Sequence, residues 1–250
     1  MEGISDAHRR ALDADGFVLI EGALPRDFAA ALREQVRAAA VGQPAYDDTT
    51  QGVRWLVNKG RDFRRVLLHP LADPCFRHLL GEGYNLANLS CKIVRPGAAH
   101  GTFHVDFLER VPEPFPEYAL TANSLWLLDD FAADNGGTRL VPGSHRSRRR
   151  PVPDPAAHPD AVTILAPAGS LLLLHGGLWH ASGPNVTERE RVCLIALCMR
   201  PFLKPKFDLV HYLCDEAWDE STPALRRLLG FEDAPMAPDA GARPVRRTVP

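Results

Sequence analysis

The spacing of apolar positions changes about one third of the way along the chain. In the first third, apolar residues recur every three or four positions, which is the spacing of one helix face. Phe28, Leu32 and Val36 follow this spacing within the segment from Pro25 to Ala40. The pattern predicts a helix there, and a second helix over Asp73–Leu80.

Short β-prone runs bounded by Pro and Gly turns fill most of the remaining chain. An earlier run of the same kind, Phe17–Ile20, follows Gly16, which is expected to end an opening helix. The later runs are Leu89–Val94, Thr121–Leu128, Thr138–Val141, Val162–Leu165, Leu171–Leu174 and Val192–Met199. Several short strands separated by turns favour a barrel or a double-sheet jelly roll, with the helices packed outside it.

No internal repeat and no long Gly/Ser linker divides the chain, so its 250 residues are expected to form a single domain. Residues 1–83 are predicted to be a mainly helical support and residues 84–203 the jelly-roll core. Residues 204–235 are predicted to form a C-terminal helical segment. Residues 236–250 are rich in Pro, Ala and Arg and are expected to be a flexible tail.

The charge balance gives no global reason to expect a polyanionic partner. Lys and Arg total 29 and Asp and Glu total 31, a formal net charge of −2. Neither nucleic acid nor an anionic membrane is therefore expected as a partner. One local exception is the run R-S-R-R-R at Arg146–Arg150, which fits either a solvated loop or a pocket mouth that attracts an anionic substrate.

The five cysteines are an odd number without a C-x-x-C pair, and three of them lie in apolar runs, where they are expected to be small buried side chains. The first ten residues lack the apolar stretch of a signal peptide, and no apolar run reaches the length that spans a bilayer. These features predict a cytoplasmic protein in a reducing compartment.

The residues best suited to chemistry are His104 and Asp106 in the motif H-V-D. On a strand, residues i and i+2 project to the same side, about 6–7 Å apart at Cα, so both side chains could reach one ion. His180 is the candidate third ligand, from a distant strand. Two His and one carboxylate suit the open coordination of non-haem Fe(II) oxygenases. However, H-x-D is a common motif, and a single His beside Trp179 is more often a structural histidine than a ligand.

Arg191 and Ser182 follow His180 and extend the candidate site. Arg191 directly precedes the apolar strand Val192–Met199, so its side chain is expected to enter the core. A buried guanidinium can bind a planar carboxylate through two parallel hydrogen bonds, and the Ser182 hydroxyl could donate a further one. The alternative for Arg191 is a surface salt bridge, and Arg189 lies two residues away.

The sequence resembles the phytanoyl-CoA dioxygenase family of Fe(II)/2-oxoglutarate oxygenases. Four segments carry the resemblance and follow the same order. They are D-G-F-V-L-I-E-G near the N-terminus, H-V-D at 104–106, D-N-G-G-T-R-L-V-P-G-S-H at 134–145, and G-S-L-L-L-L-H-G-G-L-W-H-A-S-G-P-N-V-T-E-R-E-R at 169–191. Together they span roughly residues 10 to 200.

The resemblance implies a mostly β fold with flanking helices around a cupin-like double-stranded β-helix, with the metal inside its mouth. It implies that His104, Asp106 and His180 bind iron. It further implies that Arg191 and Ser182 bind the distal carboxylate of 2-oxoglutarate.

Other positions transfer from the family less directly. Trp126, in S-L-W-L-L-D-D, matches a position that often lines the co-substrate pocket. Family members often carry Gln shortly before H-x-D; here His100 or Thr102 could replace it, or nothing does. Lys92 is a candidate for holding the co-substrate near the metal.

The activity implied by the resemblance uses Fe(II), 2-oxoglutarate as co-substrate and O2. The expected reaction hydroxylates an unactivated C–H bond of a small organic molecule, such as a natural-product or lipid-like intermediate, and releases succinate and CO2. The retained Asp106 argues against halogenation. Desaturation, epoxidation and cyclisation remain alternatives, as does a non-catalytic cupin-like protein that binds a metal or ligand. The substrate and the oligomeric state stay open.

Overall fold

Two antiparallel sheets form the centre of the protein. The computed structural model describes residues 4–106, 108–152 and 158–232. The strands are β1 (Phe17–Ile20), β2 (Thr50–Gln51), β3 (Asn85–Val94), β4 (Thr121–Leu127), β5 (Thr138–Leu140), β6 (Val162–Thr163), β7 (Leu171–His175), β8 (His180–Ser182) and β9 (Arg191–Met199). The major sheet has the order β1-β7-β4-β9-β3-β2, and the minor sheet has the order β6-β5-β8.

Helices cover the outer face of the major sheet and follow it at the C-terminal end. They are α1 (Asp6–Ala14), α2 (Arg26–Ala40), α3 (Arg61–Arg65), α4 (Ala72–Leu80), α5 (Leu209–Tyr212), α6 (Asp215–Asp219) and α7 (Pro223–Leu228). On α2, Leu32 and Val36 are buried, as their spacing predicts, whereas Phe28 is only partly buried and Ala29 is buried beside it. Among the described residues, no helix combines the length and the apolarity needed to cross a membrane.

Strand alternation divides the apolar side chains between two cores. On β4, Trp126 belongs to the core between the major sheet and the helices, together with Leu32 and Phe76. Leu125, its neighbour, belongs to the core between the two sheets, together with Leu140 of the minor sheet. Full burial of such a side chain stabilises the fold by about 1.5–3 kcal/mol. The strand therefore stabilises both layers while aiming alternate residues at the jelly-roll interior.

The predicted jelly roll with flanking helices is confirmed by this arrangement. The apolar runs predicted as strands all overlap observed strands. β2 was not predicted, and β8 was expected only as the strand that carries His180, without a range. The predicted flexible tail, residues 236–250, lies outside the described residues.

Two arginines of the basic run at Arg146–Arg150 form hydrogen bonds and an ion pair within the protein, which neither a solvated loop nor an anion-attracting pocket mouth describes. Arg148 Nε donates to the Phe115 carbonyl at 2.5 Å. Arg150 donates to the Leu108 carbonyl at 2.5 Å and forms an ion pair with Glu113 at 2.9 Å. These two arginines therefore hold the Pro-rich segment 108–117 against the jelly roll.

Candidate metal centre and co-substrate pocket

Three candidate metal ligands meet between the two sheets. His104, Asp106 and His180 each offer one ligand atom, and these atoms all lie within 4.8 Å of one another. Reciprocal backbone hydrogen bonds join His104 and His180, with N···O distances of 3.0 and 3.1 Å. His104 is an isolated bridge residue rather than part of a regular strand, so this pairing with β8 brings the H-V-D segment to His180.

Backbone carbonyls orient both imidazole rings. Nδ1 of His104 lies 2.9 Å from the Thr102 carbonyl oxygen, and Nδ1 of His180 lies 2.9 Å from the Leu178 carbonyl oxygen. Because a carbonyl oxygen only accepts, each Nδ1 carries the hydrogen and each Nε2 is directed at Asp106. This is the tautomer in which Nε2 can bind a metal.

Asp106 is held between the two rings. Its carboxylate oxygens lie 3.2 Å from Nε2 of His180 and 3.6 Å from Nε2 of His104, and Asn123 Nδ2 donates to it. Burial raises the pKa of Asp106, but His180 and these donors outweigh burial, so the pKa falls below its ordinary value. Burial lowers the pKa of His180, yet Asp106 raises it above the ordinary value. A divalent cation could replace the proton shared by this pair.

Arg191 lies on the same interior face and is only 1% exposed. Its guanidinium donates to the Gly136 carbonyl and to Cys193 Sγ, and it stacks 4.4 Å from the Phe131 ring centroid. Its Nε is buried and has no hydrogen-bond partner among the described residues. No carboxylate among these residues forms a salt bridge with Arg191. Burial accordingly lowers the pKa of Arg191. Asp129 is the nearby opposite charge, but it forms its salt bridge with Arg33. A buried cation without a salt bridge of its own is suited to binding an anion.

Lys92 and Ser182 complete the polar end of the cavity. Lys92 Nζ donates to Ser182 Oγ at 2.7 Å, which leaves the Ser182 hydroxyl hydrogen available for another acceptor. Burial lowers the pKa of Lys92, and the nearby Arg191 lowers it further. Together, these three side chains offer several donors to one carboxylate-sized ligand.

One cavity of about 320 Å³ connects this polar end to the candidate metal ligands. Its lining comprises Tyr46, Asn88, Ser90, Cys91, Lys92, His104, Asp106, Asn123, Leu125, Thr138, His180, Ala181, Ser182, Arg191, Cys193, Ile195 and Leu197. A depression of about 530 Å³ on another part of the surface contains none of the candidate ligands, and its lining is mainly charged. The smaller cavity is the candidate site because the metal-binding and anion-binding groups share it.

Trp126 is the sequence-predicted site residue that does not reach this cavity. It is fully buried on the helix side of β4, where its ring centroid lies 5.0 Å from that of His69. Leu125 lines the cavity instead. The assignment of Trp126 to the co-substrate pocket is wrong because successive strand residues point to opposite faces, so an offset of one residue reverses the side.

Neither proposed replacement for the family's Gln lines the cavity. A ring nitrogen of His100 lies 3.1 Å from the Arg139 guanidinium, while Thr102 supplies the carbonyl that orients His104. Asn88 and Asn123, which line the cavity, were not singled out from the sequence. Because side chains alternate along β3 and β4, the strand pattern indicates which residues share a face with Asn88 and Asn123. It does not indicate which residues of other strands the two side chains meet.

Two histidines and one carboxylate that meet in the interior of a jelly roll form the ligand set typical of non-haem iron(II) oxygenases. Two solved structures share the fold. The carbocyclase SnoK, described as non-heme and alpha-ketoglutarate-dependent, from nogalamycin biosynthesis, is 21% identical, with a TM-score of 0.66 over 79% of this chain and 85% of SnoK. HygX from Streptomyces hygroscopicus, solved with nickel and 2-oxoglutarate bound, is 17% identical, with a TM-score of 0.67 over 90% and 94%.

The chain belongs to the phytanoyl-CoA dioxygenase family, whose sequence model, "Phytanoyl-CoA dioxygenase (PhyH)", matches residues 12–193. This confirms the resemblance. "Dioxygenase af480" of Aspergillus fumigatus is 33% identical over 84% of this chain and 69% of its own length. An uncharacterized protein of Mycobacterium tuberculosis is 32% identical over 54% of this chain, and the match spans 48% of that relative.

Proposed function

We propose that this protein is an Fe(II)/2-oxoglutarate-dependent dioxygenase that hydroxylates an unactivated C–H bond of a small organic molecule. One observation carries the proposal: the three candidate metal ligands and a buried guanidinium without a salt-bridge partner among the described residues share one cavity. The cavity volume of about 320 Å³ lies near the lower end of the range for small-molecule sites.

The donor set fits iron. Two neutral imidazole nitrogens and one carboxylate suit Fe(II) and leave coordination positions for other ligands. His104, Asp106 and His180 would hold the metal, with Thr102 and Leu178 orienting the rings through their carbonyls. Iron with 2-oxoglutarate would supply the oxidising chemistry, consuming O2 and releasing succinate and CO2.

The protein's own contribution is orientation. Arg191 would bind the distal carboxylate of 2-oxoglutarate, and the Ser182 hydroxyl would donate to the same group. Lys92 would add positive charge and fix the Ser182 rotamer through its 2.7 Å hydrogen bond. Asn123 would keep the Asp106 carboxylate in position for the metal. These contacts would direct the co-substrate towards the metal ligands.

Cyclisation is a second candidate outcome at the same site. SnoK, which shares this fold, is named a carbocyclase. Which bond forms after hydrogen abstraction depends on where the substrate lies, and the metal ligands would be the same in both cases. Mass spectrometry separates the outcomes, because hydroxylation adds one oxygen atom whereas cyclisation removes two hydrogens.

The site assignment is tested without a substrate by adding Fe(II) and then 2-oxoglutarate under anaerobic conditions. A weak metal-to-ligand charge-transfer band should appear in the visible spectrum. His104→Ala should abolish it, because a protein ligand is lost. His158→Ala is a matched control, since His158 lies outside the cavity lining.

Absence of the band in the wild-type protein, with metal binding verified by elemental analysis, would contradict the proposed function. Retention of the band at an unchanged iron affinity in His104→Ala would contradict the ligand assignment. With the band established, product analysis on a metabolite panel would test hydroxylation against cyclisation.

A further inference from the structure

Cross-strand pairing places two asparagines on either side of Leu197. Leu197 on β9 pairs with Asn123 on β4 and with Asn88 on β3. Because neighbouring strands lie about 4.8 Å apart, the two asparagine backbones are roughly 10 Å apart across the row. The next row of the cavity consists of Leu125, Ile195 and Ser90. Two carboxamides therefore border an apolar floor.

The amide orientation of Asn123 follows from its neighbour. Its Nδ2 donates to the Asp106 carboxylate, which only accepts, so its Oδ1 must be the remaining, accepting atom. This residue is 1% exposed, and its Oδ1 is buried without a donor among the described residues. Asn88 is 8% exposed, and its Oδ1 is likewise buried without a described donor. Both side chains line the cavity.

Buried polar atoms are normally paired, since an unpaired acceptor is destabilising. Two such acceptors in one cavity are therefore suited to a ligand that brings hydrogen-bond donors. The donor should be neutral, because Asp106 is the one carboxylate among the described cavity-lining residues and belongs to the candidate metal centre. Lys92 and Arg191 in the same cavity would also repel an ammonium group.

We propose that the substrate is a neutral, largely apolar molecule that carries hydroxyl or amide N–H groups, and that Asn88 and Asn123 each accept a hydrogen bond from one of them. The apolar floor of Leu125, Ile195 and Leu197 contacts the rest of the molecule. The inference rests on the proposed function, in which this cavity is the active site. Asn88 is then a specificity-determining residue, whereas Asn123 both positions Asp106 and contacts the substrate.

Matched ligand pairs test the inference without turnover. The probes are benzyl alcohol and its methyl ether, N-methylbenzamide and N,N-dimethylbenzamide, and protonated benzylamine. Each is titrated calorimetrically into the anaerobic Fe(II)/2-oxoglutarate complex. The hydroxyl or N–H member of each pair should bind about tenfold tighter than its methylated partner, since the latter leaves an acceptor unpaired. Benzylamine should bind most weakly.

The donor-bearing member of each pair carries a single donor hydrogen, which should pair with Asn88 because Asn123 is already engaged with Asp106. Asn88→Leu should therefore reduce the preference within each pair to roughly threefold or less. Asn88→Ala removes the amide without added volume and serves if the leucine variant unfolds. Ser124→Ala is the matched control, because Ser124 lies on β4 between cavity-facing residues and is absent from the cavity lining. It should leave the preference unchanged.

The inference is overturned if no donor-bearing probe binds more tightly than its methylated partner, or if benzylamine binds best. An unchanged preference in a folded Asn88 variant overturns the role of Asn88. Failure of the charge-transfer band is a separate result that counts against the proposed function. The same probe pairs are then titrated into the metal-free protein, where Asn88 and Asn123 remain available.

Discussion

Arg191→Met should change stability and 2-oxoglutarate binding in opposite directions. Methionine has a similar length, so it can fill the buried position without the charge. The substitution removes a cation that has no described carboxylate partner, together with its contacts to Gly136, Cys193 and Phe131. The protein without co-substrate should become more stable, while its affinity for 2-oxoglutarate should fall.

The contacts of Arg191 set both magnitudes. Burying a charge costs several kcal/mol, whereas a hydrogen bond returns about 1 kcal/mol and the cation–π contact about 1–2 kcal/mol. Replacement should therefore stabilise the protein by about 1–2 kcal/mol, or roughly 2–8 °C in Tm. Loss of a buried charge partner weakens binding by about 2–5 kcal/mol. With Lys92 and Ser182 retained, the lower end applies, roughly a 30- to 150-fold higher Kd.

Thermal unfolding with and without 2-oxoglutarate, in the presence of Fe(II) and without O2, measures both effects. The co-substrate should raise the Tm of the wild-type protein much more than that of Arg191→Met. Arg189→Met is the matched control, because Arg189 is exposed and absent from the cavity lining. The reasoning is refuted if Arg191→Met lowers the Tm by several degrees while the visible-band midpoint for 2-oxoglutarate stays unchanged.

Trp126→Phe should lower the free energy of unfolding by about 1–2 kcal/mol in urea titrations. It should leave the visible-band midpoint for 2-oxoglutarate unchanged, and a tenfold shift of that midpoint would contradict the placement of Trp126 outside the cavity. Burial lowers the pKa of His175 to about 3, so the unfolded chain binds the extra proton and stability should fall from about pH 6.5 towards pH 3. Urea titrations should show a weaker pH dependence for His175→Gln; an identical slope would contradict this. Gly52→Ala would place Cβ 2.5 Å from Tyr46 Oη, displacing that ring from the cavity. Calorimetry should show a several-fold change in the Kd of organic ligands, with the affinity for 2-oxoglutarate retained. An unchanged organic-ligand Kd together with an altered 2-oxoglutarate affinity would contradict this prediction.

Much of the fold could be predicted because its signals are local. Apolar runs bounded by Gly and Pro predicted Phe17–Ile20 and overlapped the other long strands, and helical spacing predicted α2. His104 and Asp106 lie close together, as the sequence predicts, but strand alternation is not the reason. His104 itself forms an isolated bridge to His180, so His104 and Asp106 are not alternate positions of a regular strand.

The polar lining of the cavity depends on pairing between distant strands. Lys92, Asn88 and Asn123 converge only because β9 lies between β3 and β4 in the sheet. The order of the strands in the sheet cannot be deduced from the spacing of residues along the sequence. The role of Arg148 and Arg150 is similar, because their partners lie in the separate segment 108–117.

The sequence by itself determined the family and the candidate metal ligands, since these reside in short motifs whose residue types carry the chemistry. Tertiary structure alone decided which face each strand residue occupies. It placed Leu125 in the cavity and Trp126 against the helices, and it left two buried carboxamide acceptors on residues that line the same cavity as the candidate metal ligands. The physical reason is that side chains alternate with a period of two, so pairing register and sheet order determine what each residue contacts.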